Sequence, residues 1–123
     1  MRFRRASAGA AVAAALITGF TGAPASADTD SASAVTCGNA YWPHTDRNGG
    51  DGKLVVFQAP ARTGPYGACS EVAIIGDGAE LHYDCYVVND YGSRWTWVRE
   101  RGGASFGWVY GAHLSGGGAT RHC

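Results

Sequence analysis

Four cysteines, Cys37, Cys69, Cys85 and Cys123, constrain this chain most, because all of them follow an N-terminal segment patterned for export. Residues 1–27 carry a basic start (Arg2, Arg4, Arg5), an apolar middle from about Ala8 to Phe20, and a small-residue cleavage site at Ala25-Ser26-Ala27. That order reads as a secretory signal peptide, and the apolar stretch is too short and alanine-rich for a retained membrane span. An even number of cysteines in an exported chain implies two disulfides. Of the three possible pairings, Cys37–Cys69 with Cys85–Cys123 is preferred, because it staples each end of the mature chain to its middle. Each such loop is worth about 3–4 kcal/mol in the loop-entropy model. A zinc site drawing on His82 or His122 is disfavoured, since no two cysteines have the short separation, about two to four residues, of structural zinc sites. No metal and no cofactor are expected.

The mature chain, residues 28–123, is 96 residues long and therefore one domain. At this size folding buries only about 65% of the unfolded surface, so cross-links matter to stability. Three of the ten basic residues leave with the signal peptide and all ten acidic ones stay, which makes the mature net charge −3. No basic run follows Arg5, so nothing is present to neutralise a row of phosphates or to grip an anionic lipid surface. Nucleic acid is excluded as an expected partner, as is the membrane after signal cleavage, and a secreted monomer is expected.

Residues 28–36 read as a loose polar leader, and residues 38–53 as a loop rich in turn formers, Asp46-Arg47-Asn48-Gly49-Gly50-Asp51-Gly52. From Leu54 onward short strands alternate with turns. Leu54-Val55-Val56-Phe57 is a β-branched and aromatic run stopped by Pro60, and Val72 to Ile75 is a second, ended by Gly76-Asp77-Gly78. Ala79 to Val88 is the third, with Leu81, Tyr83 and Cys85 expected on one face and Glu80, His82 and Asp84 on the other. Arg94 to Arg101 makes the fourth strand, and Phe106 to Tyr110 pairs back as the fifth across a glycine turn. No window beyond the signal peptide has helical periodicity, and the chain's 19 glycines oppose helix. The expected class is all-β: a small five-stranded barrel or sandwich over residues 54–123.

The ordered set Arg62-Thr63-Gly64-Pro65, Gly76-Asp77-Gly78, Trp95-Thr96-Trp97-Val98, Gly107-Trp108-Val109 and Ala112-His113-Leu114 resembles the bacterial Src homology 3 (SH3) domain. The likeness runs from Leu54 to Leu114 and implies an SH3-like five-stranded barrel, of the kind found in small exported proteins of high-GC Gram-positive bacteria. Two places depart from the family pattern. Phe57-Gln58-Ala59-Pro60 interrupts the first strand, and His113 stands where eukaryotic relatives place a ligand-contacting tyrosine, so proline-rich peptide binding does not carry over. Strand alternation puts Trp95, Trp97 and Arg99 on one face and Thr96, Val98 and Glu100 on the other. The resemblance implies that Val98 points inward, which leaves Trp95 on a groove side near Tyr66, Tyr110 and His113.

For Tyr66, Trp95, Tyr110 and His113, closing the ends of a barrel competes with lining a groove; Trp97 and Trp108 read as packing residues. An aromatic-lined groove suits extended peptides, sugars and other guests with flat apolar faces. Arg62 reads either as part of the loop's own bonding or as part of a rigid loop, residues 62–66, presented to a partner. Ser70, Glu71 and Ser105 are nucleophile or base candidates by composition alone. Glu80 and His82 could share one strand face as a general base and acid, but a solvated pair is the ordinary outcome there. No catalytic residue is assigned. The expected function is a secreted non-catalytic module that binds a cell-wall (peptidoglycan) peptide or glycan, or an extended protein segment. The alternatives are an interaction or inhibitor domain and a small secreted hydrolase or nuclease.

Overall fold

The computed structural model describes residues 35–123. The signal-peptide assignment and most of the leader lie outside the described residues. The elements are β1 (Asp51–Gly52), β2 (Gln58–Arg62), β3 (Glu71–Gly76), β4 (Leu81–Val88), β5 (Arg94–Glu100) and β6 (Ser105–Tyr110), followed by 3-10 turns at Gly111–His113 and Ser115–Gly117. All six strands belong to one antiparallel sheet in the order β1-β4-β5-β6-β2-β3. The edges β1 and β3 do not pair, so this sheet of six strands is not closed by hydrogen bonds, where five strands closing a barrel were expected. The all-β class and the four strands from β3 to β6 match the sequence reading.

The first two strands differ from it. The run after Leu54 contributes only an isolated bridge, Leu54 to Leu114, and the strand begins later, at Gln58, passing straight through Pro60. Proline is tolerated there because β2 meets β6 only at Arg62, so at Pro60 a single neighbour, β3, asks for backbone pairing. Asp51–Gly52, expected within a loop, pairs with His82 and Leu81 at the far edge of the sheet.

One face of the sheet gathers Leu54, Ala59, Ala61, Ile75, Leu81, Tyr83, Val98, Val109, Leu114 and Ala119 into a single buried core. The other face carries Val87, Trp95 and Trp108, with Trp42, Trp97 and Cys123 packed against them. A bulge at Asp84 lets β4 serve both. The register runs Tyr83 opposite Val98 and then Cys85 opposite Trp97, so two β4 residues span one step of β5 and the alternation flips. Cys85 therefore lies on the tryptophan side with Val87, not with Leu81 and Tyr83, and Asp84, expected outward and solvated, is fully buried.

The disulfides are Cys37–Cys69 and Cys85–Cys123, and no cysteine is free. They fit an oxidising, extracellular environment. No helix among the described residues is long and apolar enough to cross a membrane. Gly64 owes its place to space: a Cβ there would stand 2.8 Å from both the Cys37 Cα and the Cys69 Sγ. The turn expected at Gly64-Pro65 is thus the seat of the first disulfide. Val98 is buried in the aliphatic core, with Trp95 on the opposite face, the arrangement that the resemblance implied.

Candidate functional site

Two constructions on the surface carry chemistry. The first is a concavity of about 400 Å³ bounded by the segment from Pro60 to Ala68, the turn from Asn89 to Ser93, and the Trp95, Tyr110 and His113 side chains. Tyr66, Trp95, Tyr110 and His113, singled out in the sequence, all line it, as do Arg62 and Tyr91. Trp95 is 6% exposed and Tyr66 2%, whereas Tyr91 is 63% and Tyr110 37% exposed, so two rings form fixed walls and two form a rim. Ring contacts link them: Tyr66 to Tyr91 at 5.8 Å, Trp95 to Tyr110 at 5.5 Å, and Tyr110 to His113 at 5.3 Å between centroids.

Asn89 holds the two sides of the groove together. Its Nδ2 donates to the Pro65 carbonyl at 2.7 Å, while its Oδ1 accepts from the Tyr91 and Ser93 backbone N–H groups. Buried and bonded through both ends of its amide, it fixes the β4–β5 turn against the segment that carries Tyr66. The Tyr66 hydroxyl accepts from the Asp90 N–H, and burial holds its pKa above the usual tyrosine value. Trp95 Nε1 and His113 Nδ1 are buried and have no hydrogen-bond partner among the described residues. Sequence reasoning missed Asn89 because an Asn-Asp-Tyr-Gly-Ser stretch reads as an ordinary turn; only the fold brings Pro65 within its reach.

Segment 62–66 is not a presented loop, since Gly64, Pro65 and Tyr66 are buried. Arg62 does bond within the segment: its NH1 donates to the Cys69 carbonyl at 3.0 Å, and its NH2 lies 3.8 Å from Glu71 Oε2. Trp108 is fully buried and Trp97 stacks on His44 at 3.7 Å, while Trp97 Nε1 donates to the Ser105 hydroxyl. Both tryptophans pack, as expected of them.

The second construction is an ionic cluster where loop 37–50 and β1 meet β4. His82 Nδ1 lies 2.8 Å from Asp51 Oδ1 and its Nε2 lies 2.9 Å from Asp46 Oδ1. Donating to a carboxylate at each nitrogen requires a proton on both, so this arrangement favours the protonated ring. The hydrogen bond that His82 donates to Asp46 raises the ring's pKa above 6.5, and the same bond lowers the Asp46 carboxyl below 3.8. Asp84, behind them, accepts from Arg99 Nε at 2.8 Å and from Arg99 NH2, a charge-assisted pair that accounts for a buried carboxylate. Asp46, His82 and Asp84 each offer one donor atom, all within 4.8 Å of one another. In this arrangement the Asp46 and Asp84 oxygens are engaged by the His82 ring and by Arg99.

Glu80 and His82 do not act on each other: Glu80 is exposed and pairs with Arg101 at 2.9 Å. His44, by contrast with His82, is held below 6.5 chiefly by burial.

Comparison with family models, curated proteins and solved structures finds no match to this chain.

Proposed function

We propose that this chain is an exported SH3-like binding module whose groove takes a short extended peptide, with peptidoglycan peptide as the first candidate, and carries out no reaction on it. One observation carries the reading: side chains from three distant segments, Tyr66, Trp95, and Tyr110 with His113, meet in one concavity of about 400 Å³. A volume in the range of about 300–1,000 Å³, mostly apolar walls and a few placed polar groups are what small-ligand sites have in common. The separation of Glu80 from His82, each held by a different partner, supports binding over general acid–base chemistry.

Co-sedimentation of the purified mature protein with cell-wall sacculi at low salt tests this. Tyr91→Ala, a change at an exposed rim residue, should weaken binding about tenfold with the melting temperature unchanged. Trp95 is too buried for that purpose. A failure of the unaltered protein to co-sediment would remove the cell-wall reading.

A second reading, a protein-interaction domain, is favoured by β3. This edge strand pairs only with β2 and exposes Val72 and Ile74, with Phe57 77% exposed. Such an edge accepts an added strand from a partner. Ile74→Lys should abolish that capture and leave sacculus binding intact.

A further inference from the structure

The groove's charge is one-sided. Among the described residues no carboxylate lines it, although the mature chain is acidic overall, and the one permanently charged lining group among them is the Arg62 guanidinium. That group is partly buried, with 20% of its side chain exposed, and only one of its hydrogen bonds is made within the described residues, from NH1 to the Cys69 carbonyl. Glu71, at 3.8 Å and half exposed, is beyond hydrogen-bond distance. The guanidinium has five N–H donors, so donors remain beyond the one given to Cys69, with Glu71 as the neighbouring competitor for them. Trp95 contributes its ring to the wall, while its Nε1 is enclosed and has no partner among the described residues. A guest that complements such a wall brings acceptors and negative charge beside an apolar face.

We infer that the groove recognises the terminal carboxylate of its peptide guest, with Arg62 binding the anion and the Trp95 and Tyr110 rings flanking the adjoining residues. This rests on the peptide-groove reading above. Arg62 is positioned from two directions: β2 fixes its backbone opposite Trp108, and the Cys37–Cys69 disulfide fixes the carbonyl that its NH1 donates to. A planar guanidinium matches a planar carboxylate in a forked pair. A phosphate dianion calls for several cations or a nest of backbone N–H groups, and here one arginine stands alone.

The experiment is a tryptophan-fluorescence titration of the disulfide-intact mature protein with a pool of N-acetylated tetrapeptides, prepared once with a free C-terminal carboxyl and once as the amide. The free-acid pool should bind about tenfold tighter or more, the range of a charged hydrogen bond, and Arg62→Gln should bring the acid-to-amide ratio to about one, with Arg62→Lys intermediate. Should Arg62→Gln fail to fold, Glu71→Gln decides: losing a neighbouring competitor should widen the acid preference about twofold, and an unchanged or narrower preference argues against the role of Arg62. Equal binding of both pools by the unaltered protein overturns the carboxylate inference and leaves the groove. Binding of neither pool overturns both. Displacement of the acid pool by inorganic phosphate at lower concentration than by acetate assigns the anion site to phosphate and overturns the inference.

Discussion

The two faces of the sheet are built on different principles. The inner face is mostly aliphatic: strand alternation delivers Ala59, Ala61, Ile75, Leu81, Tyr83, Val98 and Val109, and Leu54, Leu114 and Ala119 complete it from outside the strands; Leu81, Val98 and Val109 have no exposure at all. The outer face is aromatic, leaves the indole N–H groups of Trp95 and Trp108 without partners among the described residues, and is covered by Trp42 and His44 from a loop that has no regular structure. That loop is held by connections of other kinds: a disulfide at Cys37, backbone hydrogen bonds from Arg47 to Asp84 and from Gly49 to Tyr83, and the His82 ion pairs. The inner face thus depends on burial, whereas the outer one depends also on oxidation and protonation.

Breaking the covalent tie should have the largest effect. Replacing Cys37 and Cys69 together by serine should lower stability in urea unfolding by about 4 kcal/mol, as expected for a loop of this length. Amide exchange should quicken more in residues 38–50 than in β4 and β5; uniform acceleration would erase the distinction between the faces. Next comes the inner core, where Leu81→Ala should cost about 3 kcal/mol while the tryptophan fluorescence spectrum of the folded protein stays unchanged.

The smallest effect is the most diagnostic. Because folding raises the His82 pKa above 6.5, its contribution is complete below about pH 6.5 and disappears as pH climbs through the raised value. Asp46, lowered from 3.8, contributes above that pH and loses its contribution as pH falls through the lowered value. The loop should therefore be tied most firmly between about pH 4 and 6.5. His82→Gln should remove this pH dependence at a cost of about 1 kcal/mol or less in mildly acidic solution, as measured by urea unfolding across that range.

The strands β3 to β6 were legible because each combines β-branched or aromatic residues with a turn signal at its end. Strand β2 was hidden by composition: Gln58-Ala59-Pro60-Ala61 has no β-formers, and what qualifies it is its partner, Ile75 opposite Ala59 and Ile74 opposite Pro60. Gly52 was read as a turn residue, and only its register against Leu81 makes it part of a strand. Trp95 could be named in advance because strand parity sets it opposite Val98, and Tyr66, Tyr110 and His113 because the resemblance placed them beside it. The Asp84–Arg99 pair could not, because a bulge leaves no mark in a sequence whose apolar and polar residues still appear to alternate. Asp51 and Asp46, the partners of His82, lie 31 and 36 residues from it, beyond any local pattern.

The extra residue at Asp84 makes β4 behave like a ribbon given a half twist: what is inside before it is outside after it. Losing that one residue would carry Cys85 away from Cys123 and turn Val87 toward the aliphatic side, while adding one elsewhere in the strand would do the same to everything downstream.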